Sequence, residues 1–218
     1  MRYKAVFFDL DGTLVDTLDD LTDAMNYALS QLGQPGIGRD ACREMIGKGL
    51  AVFADKALPE GAKHLQQALI DAMKARYVRT CLDKTRIYAG MAGLVSQCRQ
   101  KGLKLGVVSN KSHPLTVKIA EHYFGSEVFG IILGQKEDVK IKPDPEPIQI
   151  AMKAVGVDLP QETLYVGDSD VDVETARNAG TDFVAVGWGF RSEQQLRQAG
   201  AEKIIYNAGD LLNLILAS

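Results

Sequence analysis

Two carboxylates, Asp9 and Asp11, stand where an apolar run near the start of the chain, Ala5-Val6-Phe7-Phe8, gives out. Two like charges about 4 Å apart repel by roughly 4 kcal/mol at an effective dielectric of 20. Such a pair calls for a bound divalent cation or a shared proton. A second acidic pair, Asp168 and Asp172, follows Leu164-Tyr165-Val166-Gly167. Their spacing of four is one helical turn, and hard carboxylate oxygens suit Mg²⁺. Acids at the start of a helix also simply favour its dipole, which is the plainer reading. Asp170, between the two, reads as a capping residue.

Anion-binding groups lie between the two acidic pairs. Ser109 and Asn110 close the apolar run Leu103–Val108. A serine there can donate to a phosphate oxygen, as can the backbone N–H groups beside it, although Ser and Asn equally cap helices. Lys142 sits in Lys140-Ile141-Lys142-Pro143-Asp144-Pro145-Glu146-Pro147. Each proline restricts the residue before it to extended conformations, so Lys142 is a pre-positioned cation. A solvated lysine ahead of a proline-started helix is the alternative. Lys140 does not directly precede a proline and is not chosen.

The elements that would carry these groups follow from hydrophobic periodicity. Ala5–Phe8 reads as a strand buried on both faces. Thr17-Leu18-Asp19-Asp20 resembles a capping box. Leu18, Leu21, Met25, Ala28, Leu29 and Leu32 then recur at helical spacing. Helices are expected over 39–46, 51–58 and 62–81, with no convincing strand between Val15 and about Ile87. That stretch is too long for a simple crossover between parallel strands and reads as a helical insertion. From Tyr88 the rhythm changes. Gly90 and Gly93 flank a turn into a helix ending near Gly102. Strands at 103–108, 128–133, 163–166, 183–186 and 203–205 alternate with helices at 114–124, 147–155 and 171–179. Gly180 is a C-terminal helix stop. Such alternation implies an α/β fold, a doubly wound parallel sheet, with ligands beyond the carboxyl ends of its strands.

Asp9-Leu10-Asp11-Gly12-Thr13-Leu14-Val15-Asp16-Thr17 resembles the D-x-D-G-T-L-x-D-[ST] signature of the haloacid dehalogenase-like phosphohydrolases. The run ending in Ser109, the Lys142-Pro143-Asp144-Pro145 loop and Gly167-Asp168…Asp172 resemble that superfamily's three later motifs, in order. The resemblance covers essentially the whole chain. It implies a Rossmann-like core of residues 1–14 and 88–218, with a small helical cap at 15–87 inserted after the first motif. It also implies that Asp9 is a phosphorylated nucleophile and Asp11 the general acid/base. Mg²⁺ would be held by Asp9, the backbone carbonyl of Asp11, Asp168 and, directly or through water, Asp172. Gly12, Thr13, Ser109, Asn110 and Lys142 would bind phosphate. The superfamily's dehalogenases lack an acid at the position of Asp11, so dehalogenation is not expected.

The substrate expected is a small phosphorylated metabolite. Met45-Ile46-Gly47-Lys48-Gly49-Leu50 and the residues after it resemble the cap of phosphoglycolate phosphatases, and Trp188-Gly189-Phe190-Arg191 resembles a stretch of the same subgroup. Gly47, Lys48 and Gly49 are therefore specificity candidates, Lys48 suiting a second anionic group such as a carboxylate. A helix-stop loop with a solvated lysine is the equal alternative. Arg191 reads as a surface residue. Pyrophosphatase, sugar-phosphate phosphatase or mutase, and a catalytically silent phosphate-binding module remain open. The cap is expected to swing about Leu14–Thr17 and Asp83–Gly90.

Composition narrows the partners. The 218 residues are 46% hydrophobic and 24% charged, with a net charge of −3. That balance gives no electrostatic footprint for nucleic acid or an anionic membrane. No signal-like segment or membrane-length apolar run is seen. Cys42, Cys81 and Cys98 lack metal-ligand spacing and suit packed, reduced thiols in a cytoplasmic protein. Monomer and homodimer are not distinguished.

Overall fold

Ala5–Phe8 form β1, fully buried, inside a six-stranded sheet. Phe7 and Phe8 have no exposure, and burial of each phenylalanine is worth about 1.5–3 kcal/mol. The chain, described here over residues 2–217 by a computed structural model, divides into two compact units. One is Met1–Val15 with Ile87–Ser218, and the other is Asp16–Arg86.

The α/β unit contains β1, β4 (Lys104–Ser112), β5 (Ile131–Gln135), β6 (Thr163–Gly167), β7 (Asp182–Val186) and β8 (Ile204–Ile205). Their order is β5-β4-β1-β6-β7-β8, and every recorded pairing is parallel. Helices α5 (Met91–Gln100), α6 (His113–Phe124), α7 (Glu146–Val155), α8 (Asp170–Ala179), α9 (Glu193–Ala199) and α10 (Ala208–Ala217) connect and follow the strands. The chain leaves β1 for β4 and β5 on one side, then returns to β6, β7 and β8 on the other. That reversal beside β1 is the switch point where doubly wound sheets bind ligands. Phe8 is level with Val107 on one neighbour and Val166 on the other. Register therefore brings Asp9, Ser109 and Asp168 to one end of three adjacent strands.

The helical unit consists of α1 (Leu18–Gln31), α2 (Arg39–Met45), α3 (Leu50–Ala57), a 3₁₀ turn (Glu60–Leu65) and α4 (Gln66–Thr80). Met25 and Leu29 of α1 and Leu69, Met73 and Tyr77 of α4 are buried. Two short strands, β2 (Val15–Asp16) and β3 (Arg86–Ile87), pair where the chain passes between the units. They are too short to leave a period-2 pattern.

Several local expectations change. Thr17 makes no side-chain cap bond; Asp16 Oδ1 accepts from the Leu18 N–H at 3.0 Å instead. Asp20 is buried and accepts from the Lys84 and Thr85 amides and from Thr85 Oγ1, at 2.8–3.0 Å. It therefore ties the end of the helical unit to its start. The helix expected over 62–81 opens as the 3₁₀ turn, and Gly93 lies inside α5. The strand expected to end at Val108 runs to Ser112, and the next begins only at Ile131. Among the described residues no helix is long and apolar enough to cross a membrane.

Candidate active site

Asp9 follows β1 directly, and its carboxylate faces Lys142 Nζ at 3.1 Å. The Leu10 N–H donates to Asp9 Oδ1 at 2.7 Å, fixing the side chain locally. Lys142 comes from the proline-rich loop between β5 and α7 and is 3% exposed. Its backbone is held by Asn110, whose side-chain amide donates to the Lys142 carbonyl at 2.9 Å and accepts from its N–H at 2.8 Å. The Asn110 side chain is thus given to this loop rather than to an anion. Lys140, by contrast, is an exposed residue paired with Asp144.

Lys142 Nζ also donates to Asp172 Oδ1 at 2.7 Å and to the Tyr165 hydroxyl at 2.8 Å. Tyr165 is a buried residue of β6, and its hydroxyl also lies 2.9 Å from Asp172 Oδ1. Asp172 Oδ2 accepts from the Asp168 and Ser169 amides and from Ser169 Oγ. Both oxygens of Asp172 are therefore engaged by protein donors, which makes it the anchor of Lys142. The residue capping α8 is Ser169, in a capping box with Asp172. Asp170, expected to cap, is the helix's first residue and faces Arg191 instead.

Asp168, the next residue after β6, is 2% exposed. Thr13 Oγ1 donates to its Oδ1 at 3.1 Å and the Phe190 N–H to its Oδ2 at 2.7 Å. Gly12 is required here twice over. Its φ is +83°, and a Cβ would lie 2.2 Å from Asp168 Oδ2. Asp11 pairs with Lys111 Nζ at 2.9 Å, both side chains nearly buried. Ser109 is buried, its Oγ accepting from the Lys111 N–H at 3.3 Å. The α/β unit thus brings together Asp9, Asp11, Gly12, Thr13, Ser109, Asn110, Lys142, Asp168 and Asp172. Gly47, Lys48 and Gly49 belong to the helical unit, where Gly47 (φ +115°) and Gly49 (φ +86°) shape the loop between α2 and α3. Lys48 is exposed there.

Charge balance bears on a cation. Asp9, Asp168 and Asp172 offer oxygens within 4.8 Å of one another, all buried, with Lys142 as the ammonium among them. Burial pushes the Asp9 carboxyl up to about 7, against the pull of Lys142 and with the repulsion of Asp172 and Asp11. Burial also holds Asp168 well above the usual carboxylate range, reinforced by Asp172 and Asp9. For Lys142, burial works against the charge, but Asp172 and Asp9 outweigh it and raise its pKa. A hard divalent cation fits this excess of buried oxygen ligands.

The shift on Asp9 gives a pH prediction for the metal-free protein. Between its ordinary value of 3.8 and about 7, the folded state holds a proton that the unfolded state has lost. Stability therefore falls as pH rises through that window, by up to about 1.4 kcal/mol per pH unit from this group. Thermal melts in EDTA should drop from pH 5 to pH 7.5, and Asp9→Asn should flatten the slope. A pH-independent melt in the parent protein would contradict the assignment.

Residues 6–186 match the family described as haloacid dehalogenase-like hydrolase. The chain belongs to that family. A phosphoglycolate phosphatase of Chromobacterium violaceum is 32% identical over 217 residues, covering 97% of this chain and 96% of that protein. An N-acetylmuramic acid 6-phosphate phosphatase of Pseudomonas aeruginosa is 32% identical over 225 residues, covering 99% and 96%. A crystal structure from Lactobacillus delbrueckii subsp. bulgaricus, provisionally assigned as a phosphoglycolate phosphatase, is 34% identical with a TM-score of 0.93 and covers 100% of both chains. This haloacid dehalogenase-like chain is accordingly a phosphoric monoester hydrolase, similar to phosphoglycolate phosphatases.

The sequence alone gives no role to Lys111, Tyr165, Trp188 or Phe190, and in it Arg191 reads as a surface residue. Arg191 is in fact 8% exposed. Lys111 directly follows Ser109 and Asn110, and Tyr165 lies in the strand before Asp168, so adjacency to a motif was the available signal.

Proposed function

We propose that the enzyme hydrolyses a small carboxylate-bearing phosphomonoester, phosphoglycolate first, in a Mg²⁺-dependent reaction through a phosphoaspartate. The observation that carries this reading is the buried Asp9 carboxylate at the end of β1, 3.1 Å from Lys142 Nζ. An Asp9 oxygen attacks phosphorus in line as the ester P–O bond breaks, and the Asp11 carboxyl gives its proton to the leaving alkoxide. Asp11, now a carboxylate, takes a proton from water as that water attacks the phosphoaspartate. Inorganic phosphate leaves, and Asp9 returns as a carboxylate. Asp9, Asp168 and the backbone carbonyl of Asp11 are the groups that would hold Mg²⁺, whose charge offsets repulsion between nucleophile and phosphate dianion. Ser109 and Lys142 stabilise the equatorial oxygens.

In this reading Lys48, in the helical unit, is the specificity residue for the substrate carboxylate. Phosphoglycolate and N-acetylmuramic acid 6-phosphate both carry one, and relatives named for each are 32% identical to this chain. The sugar phosphate is therefore the second reading. Lys48→Ala should raise KM for phosphoglycolate about 10-fold or more, the size of one lost charged hydrogen bond. KM for p-nitrophenyl phosphate, which lacks a carboxylate, should stay unchanged. Equal effects on both substrates would remove Lys48 from recognition.

Phosphate release over a panel tests the whole reading. The panel holds phosphoglycolate, N-acetylmuramic acid 6-phosphate, pyrophosphate, sugar phosphates and nucleotides, with EDTA and Asp9→Asn as controls. A phosphoglycolate preference lost in EDTA supports it. A pyrophosphate preference, or dependence on a sugar bisphosphate activator, would replace the substrate class.

A further inference from the structure

The Asp168 carboxylate is set from two directions, and one of them is the turn that follows β7. Phe190 in that turn donates its N–H to Asp168 Oδ2 at 2.7 Å. At Gly189 a Cβ would lie 2.3 Å from Asp168 Cβ and 2.5 Å from the Gly12 carbonyl oxygen. Only a glycine lets the backbone come this close. Before it, the Trp188 indole N–H donates to the Thr13 carbonyl at 3.1 Å, and its ring leans on Tyr88 with centroids 6.2 Å apart. After it, Arg191 reaches Asp170 with Nε 3.4 Å from Oδ1. Four consecutive residues thus clamp Asp168, the Gly12–Thr13 turn and the start of α8 together.

An ionised carboxylate has about two acceptor sites on each oxygen. One donor on Oδ1, from Thr13, and one on Oδ2, from Phe190, leave each oxygen able to face a cation. We propose that the Trp188–Arg191 turn is the positioning element that orients Asp168, so that residues that are not themselves ligands set the enzyme's divalent-cation affinity. The proposal rests on the reading of Asp168 as a cation ligand. Groups that orient metal ligands from outside typically change affinity by about 10–100-fold.

The test is calorimetric titration of the EDTA-stripped full chain with Mg²⁺, for the parent, Gly189→Ala, Trp188→Phe and Asp168→Asn. The added methyl of Gly189→Ala must displace Asp168 or the turn, and Trp188→Phe removes the indole N–H while keeping a ring. Trp188 is the chain's single tryptophan. Its emission in the parent should therefore shift on Mg²⁺ addition, with the same midpoint as the calorimetry. The expected result is an affinity at least about 10-fold weaker in either turn variant that melts cooperatively. If Gly189→Ala does not fold, Trp188→Phe decides. Turn variants within about twofold of the parent, beside an Asp168→Asn that loses binding, would overturn the positioning role and keep Asp168 as ligand. Parent-like affinity in Asp168→Asn would overturn the ligand reading, and the proposal with it.

Discussion

Asp9→Asn is expected to lower steady-state phosphate release by about 10⁴-fold or more while keeping the fold, as loss of a covalent nucleophile does. The substitution is nearly isosteric and removes one of three carboxylates gathered with Lys142 in a buried site. The burial that raises the Asp9 pKa to about 7, reinforced by the charges of Asp172 and Asp11, costs the metal-free protein stability. Asp9→Asn should therefore melt above the parent in EDTA at pH 7.5, and the gain should shrink when Mg²⁺ is added to both. Steady-state kinetics and paired melts check the two halves separately. Residual activity above a tenth of the parent's would show that Asp9 is not the nucleophile.

Lys142→Met should act in the opposite sense on stability. Lys142 lies 2.7 Å from Asp172 and 3.1 Å from Asp9, with its side chain 2% exposed. Removing one partner of a buried ion pair typically costs about 3–5 kcal/mol, because the remaining charge is left uncompensated. Tyr165 does not replace it, since a phenol carries no positive charge. Urea unfolding in EDTA should show this loss, and turnover should fall because the cation facing the transferred phosphoryl group is gone. Adding Asp9→Asn to Lys142→Met should recover part of the stability and none of the activity. A Lys142→Met protein as stable as the parent would mean that Asp9 and Asp172 are not ionised together.

The sheet and most of the site were legible because both depend on local order along the chain. Buried strands announce themselves as apolar runs, and each run ends in a polar group that parallel register must bring to the same edge. Asp9, Ser109 and Asp168 are of this kind. What was not legible depends on contacts distant in sequence. Asp20 looked like part of a capping box, yet it serves the amides of Lys84 and Thr85. Asn110 looked like a phosphate ligand, but its side chain closes on the backbone of Lys142. Arg191 is charged and lies between elements, which reads as surface until the turn after β7 is seen folded against Asp168. Gly189 carries no chemistry of its own, and only the approach of Asp168 and Gly12 explains it.

The measurement that bears most directly on the mechanism is acid quench of an Asp11→Asn variant a few milliseconds after mixing with Mg²⁺ and p-nitrophenyl phosphate, whose leaving group needs no proton from Asp11, followed by peptide mass mapping. Without the base that deprotonates water, the phosphoenzyme should accumulate. One phosphoryl group should then appear on the peptide containing Asp9, stable in acid and released by hydroxylamine. A phosphoryl group on another residue, or turnover with no trapped phosphoenzyme and direct attack of water on the substrate, would contradict the phosphoaspartate route.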